Sequence, residues 1–101
     1  MSKNTKWDLY HEYEGLDKIL TAQNPWSHEA GHPVHDEMLF QVFHQIYELW
    51  FKQILYELDD IQNRFDHDIV NDRDIQPILL YLGRIVKILK QLINMIDVLE
   101  T

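Results

Sequence analysis

The residue most able to do chemistry is His44. It falls on the row Phe40, His44, Tyr47, Phe51, whose steps of three and four describe one face of an α-helix. The imidazole therefore points with the apolar side chains, away from the polar stripe Gln41, Gln45, Glu48, Lys52. A histidine in an apolar wall can exchange one proton near neutral pH, and burial would favour its neutral form. That chemistry suits a hydrogen bond to a ligand, general-base work or a metal. The competing account is a core histidine satisfied by a neighbouring helix.

Three further histidines, His28, His32 and His35, lie in or beside the segment NPWSHEAGHPV. Its prolines and glycine deny the segment helical ligand geometry, and a closed zinc site needs a fourth ligand. His44 and Glu48 are spaced i,i+4, but Glu48 has Lys52 as a simpler partner. No metal site is expected at these residues.

These groups must be positioned by helices. From His35 to Arg64 the row continues through Phe43, Trp50, Ile54, Leu58 and Ile61. Asp36 and Glu37 suit the start of that helix. Upstream, Leu9, Tyr13, Leu16 and Leu20 predict a short amphipathic helix from Trp7 to Ala22, weakened by Gly15 and stopped by Asn24-Pro25. Residues 1–6 read as a polar arm, and residues 24–34 as a loop. Downstream, DHDIVNDRD reads as a polar turn in which Asp72 or Asp74 caps the next helix. Pro77 is expected in the first turn of that helix, which runs to about Leu99. Its seam is expected at Ile75, Leu79, Leu82, Val86, Leu89, Ile93 and Ile96. Ile78, Ile85, Leu92 and Leu99 widen that seam, and Arg84, Lys87, Gln91 and Asn94 form the wet side.

The fold class is therefore all-α: a short N-terminal helix, a loop, then a long antiparallel helical hairpin. The apolar arc of the last helix exceeds what one neighbour can cover, so the chain is expected to be part of a larger helical bundle or oligomer. Residues 1–101 are expected to form a single helical domain.

Composition narrows the function. A net charge of −8 argues against nucleic acid and anionic membranes as partners. Without cysteine there is no disulfide or thiolate metal site. Apolar residues make up 46% of the chain, which excludes a disordered polymer. No apolar core of a signal peptide and no membrane-spanning run occurs. A soluble, cytoplasmic protein is the expectation.

The segment HDEMLFQVFHQIYELWFKQILYEL closely resembles the signature of the tryptophan 2,3-dioxygenase family, HDE-x-LF-x-x-x-HQ-x-x-ELW-x-K. The matching residues are His35-Asp36-Glu37, Leu39-Phe40, His44-Gln45, Glu48-Leu49-Trp50 and Lys52. Tyr10, Tyr13, Leu16-Asp17, Leu20 and Ala22-Gln23 resemble the family's N-terminal helix, and residues 88–101 its helix before a Phe-Arg motif. The resemblance covers nearly the whole chain from about Trp7.

The resemblance implies an all-α, heme-dependent homotetramer that inserts O₂ into the indole ring of L-tryptophan, giving N-formylkynurenine. It implies that Phe40 and His44 line the distal side of the heme and bind substrate. His44 is then the catalytic residue, near the indole N–H, and ligates no iron. Tyr10 and Tyr13 are implied to reach the substrate pocket of a neighbouring subunit. The family's substrate-carboxylate arginine and proximal heme histidine have no counterpart among these residues. Glu14, Gln41 and Phe43 depart from the family's usual choices. The expectation is the N-terminal, distal-pocket portion of such an enzyme, inactive alone. The alternative is a non-catalytic, self-associating helical module derived from the family.

Overall fold

The computed structural model describes residues 6–66 and 70–101. Residues 1–5 of the arm expected at 1–6, and residues 67–69 in the expected polar turn, lie outside the described residues, while Lys6 of that arm already belongs to the first helix. Among the described residues every regular element is a helix, in the order α1 (Lys6–Glu14), α2 (Leu16–Ile19), α3 (Trp26–Glu29), α4 (Glu37–Phe65) and α5 (Asp72–Leu99). The all-α class expected from periodicity is the one observed. Among the described residues no helix is long and apolar enough to cross a membrane. The chain divides into two compact units, Met1–Val42 and Phe43–Thr101.

In the first unit, the single helix expected from Trp7 to Ala22 is two. Gly15 adopts the left-handed conformation at φ 63°, which ends α1 and starts α2. A side chain there would cost about 1–2 kcal/mol, so glycine acts as a turn residue and not merely as a weak helix former. Residues 24–34 were expected to be loop throughout, but they contain the one-turn helix α3. Pro25 precedes it at the N-cap position, where its fixed φ leads the chain into the turn.

In the second unit, α5 returns antiparallel to α4. As α4 ascends through Tyr47, Glu57 and Arg64, its α5 partners descend through Leu92, Arg84 and Asp74. Ile61, Ile78 and Ile85 form the centre of the core, with Ile54, Val70 and Tyr81 packed against them. Each such side chain contributes about 1.5–3 kcal/mol when fully buried.

α5 buries one edge of the expected face, the widening residues Ile78, Ile85 and Leu92, and not the seam itself. Ile78, Ile85, Ile88 and Leu92 are buried, whereas Ile75, Leu79, Leu82, Val86, Leu89, Ile93 and Ile96 are each at least 42% exposed. The helix is turned roughly a quarter of a revolution from the predicted seam. The reason is polar. Arg84, assigned by periodicity to the wet side, bonds Glu57 of α4 at 2.6 Å, and the Glu57 side chain is 5% exposed. Asp74 bonds Arg64 at 2.6 Å. Burying the predicted seam instead would leave two carboxylates without these cations.

The start of α5 also differs. Asn71 is the N-cap residue, with no capping bond from its side chain. Asp72 and Asp74 lie in the first turn, favourable to the helix dipole, but neither is the cap. Pro77 is the sixth residue of the helix, one turn later than expected. Lacking an N–H, it donates no bond to the Arg73 carbonyl.

Candidate functional site

The four residues expected at a site lie on two helices. Tyr10 and Tyr13 are spaced i,i+3 on α1, Tyr10 half exposed and Tyr13 87% exposed. Phe40 and His44 are one turn apart along α4. Phe40 is 49% exposed, and the imidazole of His44 is exposed too. His44 is thus not a core histidine of this chain, and the burial suggested by its apolar row is not found. It occupies the shoulder of the hairpin, not its contact row.

Three rings hold the turn that carries it. Phe43 is buried, its ring tilted at 32° onto Tyr47 with centroids 4.5 Å apart. Its edge meets the His44 imidazole at 6.4 Å and 81°. Tyr47 meets Phe51 edge-on at 5.8 Å and 76°, and its hydroxyl donates to the Leu92 carbonyl of α5. His44, Phe51 and Leu58 recur every seven residues, along one flank of the Phe43–Ile54–Ile61 contact row. Phe51 and Leu58 are 40% and 42% exposed on this flank, and beside Leu58 it turns polar at Lys52, Asp59 and Gln62. A flat apolar ligand could lie on it with one hydrogen-bonding group at His44.

The other flank of the row is different. Trp50, Gln53, Arg84, Lys87, Ile88 and Gln91 line an open groove of about 310 Å³. Beneath it, Glu57 accepts bonds from both Gln53 and Arg84. The Tyr81 ring lies between two guanidinium groups, Arg84 at 5.3 Å and Arg64 at 6.0 Å from its centroid. Arg64 also bonds Asp60 at 2.8 Å. Hydrogen bonds that the guanidinium donates to Asp60 and Asp74 raise it above its ordinary pKa, so it stays charged throughout the accessible range.

Glu37 has a role that the motif alone did not reveal. Its carboxylate accepts the backbone N–H groups of Trp26 (3.1 Å) and Ser27 (2.9 Å), and the Ser27 hydroxyl. These are the free donors at the N-terminus of α3. Ser27 Oγ accepts in turn from the Val34 amide at 3.0 Å, and the Asn24 amide bonds the Gln41 side chain at 2.9 Å. One carboxylate thereby fastens residues 24–34 to the first turns of α4. The Ser27 bonds hold its pKa below the ordinary value of 4.5. His28 lies on α3, while His32 and His35 lie outside the helices. Among the described residues no three acidic, histidine or cysteine side chains are grouped to hold a metal ion.

Sequence reasoning missed Glu57, Arg84, Tyr47 and the Glu37 clasp. For Glu57 a signal existed: it sits on the row Ile54, Glu57, Ile61, a charge on the contact face. The clasp had none, because its partners are ten and eleven residues apart and joined by an irregular segment.

Comparison with known proteins points one way. The pattern of the tryptophan 2,3-dioxygenase family matches residues 2–101. Tryptophan 2,3-dioxygenase of Bdellovibrio bacteriovorus is 51% identical over 92 residues, covering 91% of this chain and 26% of that protein. The Aedes aegypti enzyme of the same name is 52% identical over 93 residues, covering 92% of this chain and 24% of that protein. The Anopheles gambiae enzyme gives the same figures, 52% over 93 residues. The chain therefore spans about a quarter of the length of these relatives.

Proposed function

This chain belongs to the tryptophan 2,3-dioxygenase family, and from that premise we propose that it forms the distal side of a site where L-tryptophan is oxidised by O₂. The supporting observation is the exposed imidazole of His44 on the same flank as the exposed side chains of Phe51 and Leu58.

The residues present fit one face of a heme. Exposed Phe51 offers apolar surface to a flat macrocycle, and His44 offers a hydrogen bond instead of a metal bond. When bound, heme supplies the redox chemistry that lets O₂ add to the indole ring. His44 accepts the indole N–H and orients the ring. Phe40 packs on the substrate and helps exclude water. Tyr10 and Tyr13 extend from α1 to complete the pocket of a neighbouring subunit. By the resemblance, the carboxylate-binding arginine and the proximal histidine come from sequence beyond these 101 residues. The product is N-formylkynurenine, placing the protein in tryptophan catabolism, and the assembled form is a cytoplasmic homotetramer.

The experiment joins these residues to the remaining three quarters of one of the relatives above. The joined protein, loaded with heme and reductant, forms N-formylkynurenine, and the 101-residue chain alone does not. A joined protein that folds and binds heme but leaves tryptophan unchanged overturns the proposal.

One observation favours a second reading, a self-associating helical module without catalysis. The exposed aliphatic row of α5 is long enough to pair with a second copy. A folded monomer in sedimentation at high concentration removes that reading.

A further inference from the structure

We propose that Tyr47 is the positioning residue for His44. Its hydroxyl pins the turn of α4 that carries the imidazole to α5, and the Phe43 ring passes that fixed rotation on to His44. The proposal rests on the reading of His44 as a group that faces substrate.

The need for such a pin follows from the packing of the hairpin. The aliphatic surface of α5 extends over two adjacent rows, one buried and one exposed. Aliphatic packing alone therefore discriminates poorly between neighbouring rotations of the helices. His44 stands to one side of the contact row, so any roll of α4 displaces it. A roll of about 20° moves a side-chain tip about 2 Å on a helix of ordinary radius. Catalytic geometry is sensitive to about half that displacement.

A hydrogen bond is directional where aliphatic packing is not. The Tyr47 hydroxyl donates to the carbonyl of Leu92, whose residue is 4% exposed. That carbonyl lies inside a helix and retains a second lone pair for an outside donor. The ion-pair ties at Glu57 and Arg64 begin about 20 Å further along α4, too far to fix the turn at His44. From Tyr47 the contacts run through Phe43 at 4.5 Å to the edge contact with His44 at 6.4 Å. Phenylalanine would fill the same space without the hydroxyl.

The test is NMR of the 101-residue chain and its Tyr47→Phe variant, at a temperature where both remain helical by circular dichroism. Three-bond couplings report χ1 of His44, and the imidazole proton shifts report the Phe43 ring. The unaltered chain is expected to show one His44 rotamer, and Tyr47→Phe an average over several. Glu57→Gln serves as the control: it lowers the melting temperature of the same hairpin and leaves the His44 couplings unchanged. Unchanged couplings in Tyr47→Phe overturn the proposal, as does rotamer averaging in the unaltered chain. If Tyr47→Phe does not fold, Phe43→Leu replaces it, with averaged couplings in support and unchanged couplings against. No tryptophan or heme enters these measurements. Their failure is therefore distinct from failure of the functional reading, which is judged on the joined enzyme.

Discussion

Residues 24–41 and the hairpin from Phe43 onward are held together by different forces. The first region depends on one carboxylate, Glu37, which gathers two amides and a hydroxyl from a short segment. The hairpin depends on isoleucine and leucine rows with ion pairs set among them. A polar clasp is local, sensitive to pH and nearly silent in sequence. An apolar row is periodic and visible, yet it leaves the rotation of the helix open. In the hairpin, buried charge chooses among rotations that the aliphatic pattern permits.

The comparison is broken most severely in the aliphatic core. Ile85→Ala removes a side chain that is 8% exposed at the centre of the cluster, and should cost about 2–4 kcal/mol. Thermal or urea unfolding followed by circular dichroism measures it. The clasp should persist until the hairpin melts, seen as continued protection of the Ser27 and Val34 amides.

A smaller loss is expected at the ion pair. Arg84→Ala leaves the Glu57 carboxylate buried, with Gln53 still donating to it. Unfolding should be easier by about 1–3 kcal/mol, and adding Glu57→Gln should recover part of it. Additive losses in the double variant would show that the two side chains do not act as a pair. If the pair selects the rotation of α5, Arg84→Ala also shifts the helix toward its other aliphatic row. Interhelical distances from spin labels on α4 and α5 would report that movement.

How much was legible follows from the same contrast. The extents of α4 and α5 were readable from steps of three and four, and the antiparallel hairpin from the short connection between them. The burial that the apolar row implied for His44 was not found, because His44 stands to one side of the row that meets α5. The rotation of α5 was not readable, because Ile78, Ile85 and Leu92 and the row beside them are equally apolar. Glu57 and Arg84 favour the observed rotation, and their pairing spans 27 residues of sequence. The turn at α3 was hidden because its N-terminal amides are capped by a carboxylate eleven residues away. Gly15 was recognised as a flaw in a helix, but its positive φ makes it the junction of two.

The smallest global effect belongs to the clasp. Glu37→Gln should speed hydrogen exchange at the Ser27 and Val34 amides while leaving the hairpin melting temperature unchanged. Acid should do the same. The folded pKa of Glu37 lies below 4.5, so the unfolded segment binds the proton first as pH falls. The clasp is fully stabilising above the unfolded value and is lost as pH drops through the folded one. Exchange rates that stay flat through that window, after correction for intrinsic chemistry, would remove Glu37 from this role.

The central claim is that His44 faces a ligand and orients it without ligating iron. Its most direct test is His44→Ala in the joined, heme-loaded enzyme, with heme content and kcat/KM for L-tryptophan measured together. Loss of one hydrogen bond to the indole N–H predicts full heme occupancy and a fall in kcat/KM worth about 1–3 kcal/mol. Loss of heme from the variant, or turnover unchanged from the parent, would contradict it.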